Sequence, residues 1–375
     1  MSIAMIFAFS AWTGLLNNFV IEVASFDGEK IGILQSLREI PGFLAFSVVL
    51  VIIIINQQKL AYLSIIILGI GVALTGIYSD YLGIYITTII MSLGFHYLET
   101  LNQSLSLQWL SKKEAPIVLG KIASAKSFSA LLALGIVYIM MNLFGAGYQI
   151  VYLFFGISTI IIGIIAWMFF SQFDEQVPQT KSLKLKKRYW LYYILTFLSG
   201  ARRQIFVVFA GFLLVEKFAM SVDKMVLLLI VNSLFNMYFA PKIGKFIAKY
   251  GERLSLRWEY IGLSIVFLSY SFVDNLYFAL ILFVIDYLLF SMGIALRTYF
   301  QKIADPKDIA SASSLSFTIN HIAAVFLPVM LGVVWLYSYQ AVFMVGVFIV
   351  VISLALSFLI PKNPTYGLET TLIKS

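Results

Sequence analysis

Stretches of about twenty mostly apolar residues, the length a helix needs to cross roughly 30 Å of hydrocarbon, recur from one end of this 375-residue chain to the other. Nothing else in the sequence constrains the fold as strongly. Inside a bilayer no water satisfies the backbone N–H and C=O groups, so such stretches cross as helices whose hydrogen bonds close internally. We read twelve spans, at about 3–24, 31–55, 60–78, 81–108, 121–141, 148–170, 189–213, 225–247, 255–272, 276–298, 311–335 and 339–360. The expected fold class is all-α integral membrane. The first apolar stretch is expected to be a span and not a removed signal peptide. Charged residues make up 12% of the chain, against about 25% in soluble domains, so lipid is the main solvent.

Several chemistries are excluded at once. The chain has no cysteine, which removes disulfides, thiolate catalysis and zinc–cysteine sites. Its two histidines fall far apart, so the clustered histidines of a membrane-embedded enzyme are missing; no enzymatic activity and no cofactor are expected. The net charge of +8 suggests nucleic acid only until the charges are placed. With the N-terminus in the cytoplasm, twenty lysines and arginines fall on the cytoplasmic loops, tail and adjoining helix ends, among them Lys112, Lys126, Lys181, Arg188, Lys249, Arg257, Lys307 and Lys374. The opposite face has only Lys30, Lys217 and Lys224, while Arg38, Arg202 and Arg203 lie inside spans. That asymmetry is the positive-inside signature of a multi-pass protein, and it argues against a nucleic-acid partner.

The longest polar loop, SQFDEQVPQTKSLKLKKR at 171–188, divides the chain. We expect an N-terminal six-helix bundle at 1–171, a cytoplasmic linker at 172–188 with Gln179 open to the cytoplasm, a C-terminal six-helix bundle at 189–361 and a cytoplasmic tail at 362–375. The halves look like copies. IASAKSFSALLALG follows the fourth span and SASSLSFTINHIAA the tenth, and setting Phe128 on Phe317 also sets Ser124 on Ser313 and Ser127 on Ser316, an offset of 189 residues. Parallel internal repeats of this kind are a transporter trait.

After the eighth span the chain reads PKIGKFIAKYGERL. Gly244, Lys249, Gly251 and Arg253 resemble the G-x-x-x-D-[RK]-x-G-x-[RK] loop of the major facilitator superfamily, with Ala248 at the family's acidic position. The resemblance implies two pseudo-symmetric six-helix bundles around a central path. It also implies a gating role for these four residues, the glycines allowing a tight turn and the basic groups latching neighbouring helix ends. In that family the third helix of each triplet lies outside the path. Spans 3, 6 and 12 of this chain contain no charged residue, which fits that arrangement.

Ionisable groups within the spans mark the candidate site. His96, Glu99, Arg202, Arg203, Asp286 and His321 lie near span centres. Charged, unpaired and lipid-facing, six such groups would cost roughly 15–20 kcal/mol, more than the ~5–15 kcal/mol by which folds are stable. They must face one another or a wet cavity. On span 4, Thr88, Ser92, His96, Glu99, Gln103 and Ser106 fall within about 80° of one another at about 100° per residue. This stripe lines a cavity or glues helices together. Tyr192, Thr196, Ser199 and Arg203 share a face of span 7, with Arg202 turned aside to brace a neighbour. Asp286 and Arg297 share a face of span 10, about 16 Å apart along the axis. Ser313, Ser316 and Asn320 share one on span 11, beside His321.

These positions suggest roles. Glu99 with His96 is a proton-coupling site, a metal site or a hydrogen-bonded pair. Arg203 binds an anionic group or is a fixed ion-pair partner of Asp286 or Glu99; Asn320, Gln103, Ser199, Thr196 and Asp286 complete a solute site. Glu22, Arg38 and Glu39, nearer the outer surface, form a gate or ion-pair cluster. The expected function is a proton-coupled secondary active transporter of a small anionic or zwitterionic solute working by alternating access. The alternatives are an uncoupled facilitator, a metal-ion carrier using His96, Glu99 and Asp286, and a non-transporting membrane sensor. The expected setting is a monomer in a bacterial inner membrane with both termini cytoplasmic, its partners being the solute, H+ and the lipid bilayer.

Overall fold

A computed structural model describes residues 1–26, 28–173, 177–180, 182–220 and 222–372; Lys181 of the linker and Lys374 of the tail lie outside them. Eleven helices among the described residues are long and apolar enough to span a bilayer: α1 Ser2–Glu22, α2 Ile33–Val51, α3 Gln57–Thr75, α4 Tyr81–Trp109, α5 Ala115–Leu143, α6 Tyr148–Phe169, α7 Lys187–Glu216, α8 Leu227–Tyr250, α10 Leu276–Ile303, α11 Pro306–Trp335 and α12 Tyr339–Ser357. The twelfth span, α9 at Glu252–Ser271, carries Glu252, Arg253, Arg257 and Glu259 and is too charged to qualify by composition alone. All twelve spans read from the sequence are helices, and the described residues include no β-strand.

Local chemistry sets many of the boundaries. Side chains of Asn56, Asn275 and Ser338 accept the N–H of Gln58, Phe278 and Ala341 and so cap α3, α10 and α12. Gly251 takes φ +83° between α8 and α9, a conformation open to glycine because it has no Cβ. Pro41 in α2 precedes a 3-10 turn at Leu44–Ser47, and a second such turn, Ser291–Gly293, interrupts α10. Three residues at about 120° each in place of about 100° rotate the remainder of the helix by about 60°. The angle between Asp286 and Arg297 thereby widens from about 20° to about 80°.

The chain forms two compact units. The first is Met1–Leu105, Ala125–Leu183 and Ala310–Thr318; the second is Ser106–Ser124, Lys184–Ile309 and Ile319–Ser375. In the first, α3 packs extensively on α6; in the second α9 packs extensively on α12, the same pair six helices on. Small residues permit the first of these. A Cβ on Gly69 would come within 2.7 Å of the Gly156 carbonyl oxygen, and one on Gly156 would strike the backbone of Ala73. Helices associate in lipid through such close packing, since apolar burial drives little there.

In the second unit the α4–α5 corner packs on α8 and α10. The Gln301 amide donates to the carbonyls of Leu107 and Leu110, both at 2.7 Å, and the Ser124 hydroxyl donates to Met237 O at 2.6 Å. A Cβ on Gly120 would lie 2.5 Å from Ala240 O, and one on Gly244 would meet Pro116 O.

Two segments that read as plain polar loops are tied down. Gln179 is buried: its side chain accepts the Ala310 N–H at 3.0 Å and donates to Val177 O at 2.9 Å. The expectation that Gln179 is open to water is corrected accordingly; Lys184 is an exposed linker position. The tail folds back on the second unit. Glu369 pairs with Arg188, its carbonyl accepts the Tyr299 hydroxyl at 2.6 Å, and the Arg188 guanidinium lies 3.9 Å from the Tyr366 ring centroid.

Candidate functional site

In the first unit the α4 stripe divides between two neighbours. Ser92 is buried and its hydroxyl donates to the Arg38 carbonyl of α2. His96 Nδ1 lies 2.9 Å from Ser92 Oγ and 3.0 Å from Ser92 O, and its ring meets those of Phe95 and Phe317 edge-on at 5.3 and 6.0 Å. One turn further on, Glu99 faces α5 instead: Lys126 Nζ donates to both its carboxylate oxygens, at 3.0 and 2.9 Å. About a fifth of each side chain is exposed, 23% for Lys126 and 19% for Glu99. Gln103 is half-buried on the same helix.

Lys126 is a functional candidate that sequence reasoning misses. Counting basic residues by face places it with the cytoplasmic helix ends, yet it lies eleven residues inside α5, which begins at Ala115. A charge that deep in a span needs a partner, and that is the signal available.

The outer-surface trio separates in the structure. Arg38 and Glu39 pair with each other at 2.8 Å. Glu22 accepts from the Tyr148 hydroxyl at 2.8 Å and the Asn18 amide at 3.3 Å.

In the second unit a polar cluster is buried among α7, α9 and α10. Arg202 donates to Glu259, with side-chain exposures of 4% and 0%. It also donates to Ser199 Oγ at 3.3 Å, and its guanidinium lies 5.3 Å from the Tyr260 ring centroid. Asp286 is equally buried and interacts electrostatically with both Arg202 and Glu259. Glu259 escapes sequence reasoning because a span starting at 255 makes it look like an end residue; α9 begins at Glu252 and holds it two turns inside.

The α7 face chosen from periodicity is largely packed. Tyr192 stacks on Phe300 at 4.4 Å. Thr196 is buried, its carbonyl accepting the Asn320 amide at 3.2 Å. A Cβ on Gly200 would strike Asn320 O, so Asn320 braces α11 on α7. Arg203 is half-buried, and a π-helical turn, Ile205–Ala210, starts two residues beyond it. Single π turns inside α-helices are frequent at functional positions.

At the α8–α9 loop, Gly244 and Gly251 serve close packing and a left-handed turn. The charged latch is Glu252, buried and paired with Lys302 at the end of α10 at 2.8 Å. Lys249 lies 5.0 Å from the Tyr250 ring centroid, and Arg253 is half-exposed. In the α7–α8 loop, burial pulls the Lys217 ammonium down. Hydrogen bonds to Asp274 and Tyr339 outweigh it and hold Lys217 above the ordinary lysine value.

Bilayer-length helices with ion pairs buried part-way along them define a polytopic membrane protein built around polar contacts inside the membrane. The sequence profile described as Major Facilitator Superfamily matches residues 1–328, and the chain belongs to that superfamily. Its structure is similar to that of FucP, a transporter of the superfamily solved in the outward conformation, with TM-score 0.75 and 12% identity over 95% of this chain and 97% of that one. It is similar to the human organic anion transporter MFSD10, with TM-score 0.72 and 13% identity over 95% and 96%. A bacterial homologue of the iron transporter ferroportin, in an outward-facing state, gives TM-score 0.70 and 12% identity over the same shares. No protein of curated function matches the chain by sequence. The expected fold of two six-helix bundles is thereby borne out, as is a role in membrane transport.

Proposed function

We propose that this protein is a secondary active transporter of a small anionic or zwitterionic solute, coupled to protons and working by alternating access between two six-helix halves, 1–171 and 189–361. The observation that carries this reading is the Glu99–Lys126 pair, an ion pair within two spans that keeps about a fifth of each side chain accessible. As it stands the pair is neutral. A proton on Glu99 leaves the Lys126 ammonium unmatched inside the membrane, where an excess charge costs about 2.5–3.5 kcal/mol on insertion scales. An anionic group of the solute then takes the place of the carboxylate. Proton and anion thus bind together or not at all, which is what coupling requires. His96, one turn from Glu99 on α4, accepts and releases the proton at a ring nitrogen. Arg203, in the second unit, is assigned an anion contact of its own. Cytoplasmic termini, a monomeric state and a bacterial inner membrane complete the reading.

Glu99→Gln keeps the shape and a hydrogen bond to Lys126 but cannot carry a proton. In proteoliposomes the variant is expected to exchange labelled solute across the membrane while losing uphill accumulation under an imposed pH gradient. Normal accumulation by Glu99→Gln would sink the reading. Topology has its own test. The native chain lacks cysteine, so a single cysteine at Lys184 is a clean reporter. It should stay unlabelled by an impermeant thiol reagent in intact cells and label fully once they are opened; labelling of intact cells reverses the assigned orientation.

A further inference from the structure

The second unit holds charges that the proposed coupling at Glu99 does not use. Arg202, Glu259 and Asp286 are buried together, supplied by α7, α9 and α10, with whole-residue exposures of 3%, 0% and 2%. Arg202 donates a single hydrogen bond, from Nη2, to Glu259 Oε1; among the described residues Glu259 Oε2 and Asp286 Oδ1 accept none, and Asp286 has no hydrogen bond to the guanidinium to hold its charge. Among the described residues, the other ionisable groups that reach this cluster are Tyr270, which interacts with Asp286, and Tyr260 beside Arg202. Neither brings positive charge. One guanidinium therefore faces two carboxylates, and a guanidinium does not give up its proton in proteins. The set is one negative charge in excess, buried where an unmatched charge is costly. One proton, taken from water to form an O–H bond at Asp286 Oδ1, cancels the excess and turns an unbonded acceptor into a donor.

We propose that Arg202, Glu259 and Asp286 form an occluded proton-binding site in the second unit, the proton residing on Asp286, separate from the Glu99–Lys126 pair. The site goes beyond the proposed coupling at Glu99, and the protein carries two exchangeable protons if both readings hold. The full chain in lipid nanodiscs, studied by infrared difference spectroscopy with no solute present, provides the test. At pH values well above the carboxylate range of about 3.9–4.3, side chains in water are ionised, so a protonated carboxyl C=O band reports a buried acid.

The parent and Glu99→Gln should both show one such band near neutral pH, sensitive to deuterium exchange, and Asp286→Asn should lack it. If Asp286→Asn does not fold, the parent labelled with 13C-aspartate replaces it: the band must move with that label and stay fixed with 13C-glutamate. No band near neutral pH, or one that survives in Asp286→Asn, overturns the proposal and leaves a fixed network. A band that sodium abolishes, where choline does not, also overturns it, because the site then takes a metal cation. Loss of the band in Glu99→Gln would assign it to the first unit and overturn this site while leaving coupling at Glu99 intact.

Discussion

Arg202→Met is expected to be among the most damaging single substitutions in this protein, lowering stability by about 3–5 kcal/mol. Methionine fills a similar volume, so packing is not the cause. Removing the guanidinium strands Glu259, fully buried, and takes from Asp286 its positive neighbour among the described residues. Breaking a buried pair from one side costs more than never having built it, because the remaining charge keeps its desolvation penalty. The measurement is the fraction of monodisperse protein recovered in detergent, together with its midpoint of thermal unfolding.

The triple variant Arg202→Met, Glu259→Gln, Asp286→Asn carries no charge in the cluster and should recover most of the loss. Arg202→Lys should fall between the two. It keeps the charge, but a compact, strongly hydrated ammonium on a flexible stem is costlier to bury beside Glu259 and Tyr260 than a planar guanidinium. Should Arg202→Met match the parent in both measurements, the cluster is not what binds α7 to α9.

Local forces are legible in the sequence, and long-range ones much less so. Span positions can be read because lipid imposes a length and an apolarity on each helix independently of its neighbours. The paired helices α3–α6 and α9–α12 are foreshadowed by the absence of charge in spans 3, 6 and 12. Partners are harder to read. Span 4 shows Glu99 and His96 on one stripe, and a regular helix offers no way to tell that His96 turns to Ser92 while Glu99 reaches α5. Lys126 is hidden by a rule that counts charges by face and ignores depth.

Irregular geometry hides more. A 3-10 turn at Ser291–Gly293 shifts the register between Asp286 and Arg297, and nothing in the residues SMG announces it. Gln179 looks exposed because its neighbours are polar, yet its side chain satisfies the backbone of Ala310. Glycine roles are legible only in part. The tight turn at Gly251 is implied by its place in the loop motif, whereas the closeness of Gly200 to Asn320 depends on a helix about 120 residues away in sequence.

Arg203→Lys is expected to weaken solute binding ten- to a hundredfold, although the formal charge is unchanged. The expectation rests on the proposed anion contact, and the chemistry of the two side chains decides it. A guanidinium is planar and grips a carboxylate or phosphate with two parallel hydrogen bonds, whereas an ammonium is a compact, strongly hydrated point charge. Losing a charge-assisted contact of this kind costs about 1.5–3 kcal/mol, or roughly a factor of ten to a hundred in affinity at 1.4 kcal/mol per decade.

Position separates Arg203 from its neighbour. Arg202 is buried and committed to Glu259, while Arg203 is half-buried just ahead of the π-helical turn at Ile205–Ala210. The two lysine variants should therefore fail differently: Arg202→Lys in stability with binding largely kept, Arg203→Lys in binding with stability largely kept. A thermal-shift screen against metabolite classes comes first, since a ligand that binds only the folded state raises apparent stability. Binding titrations of both variants against the hit come next. Parent-like affinity in Arg203→Lys, with loss confined to Arg202→Lys, would move the solute contact to Arg202. Parent-like affinity in both would make the arginine pair structural and leave Lys126 as the cation the anion meets.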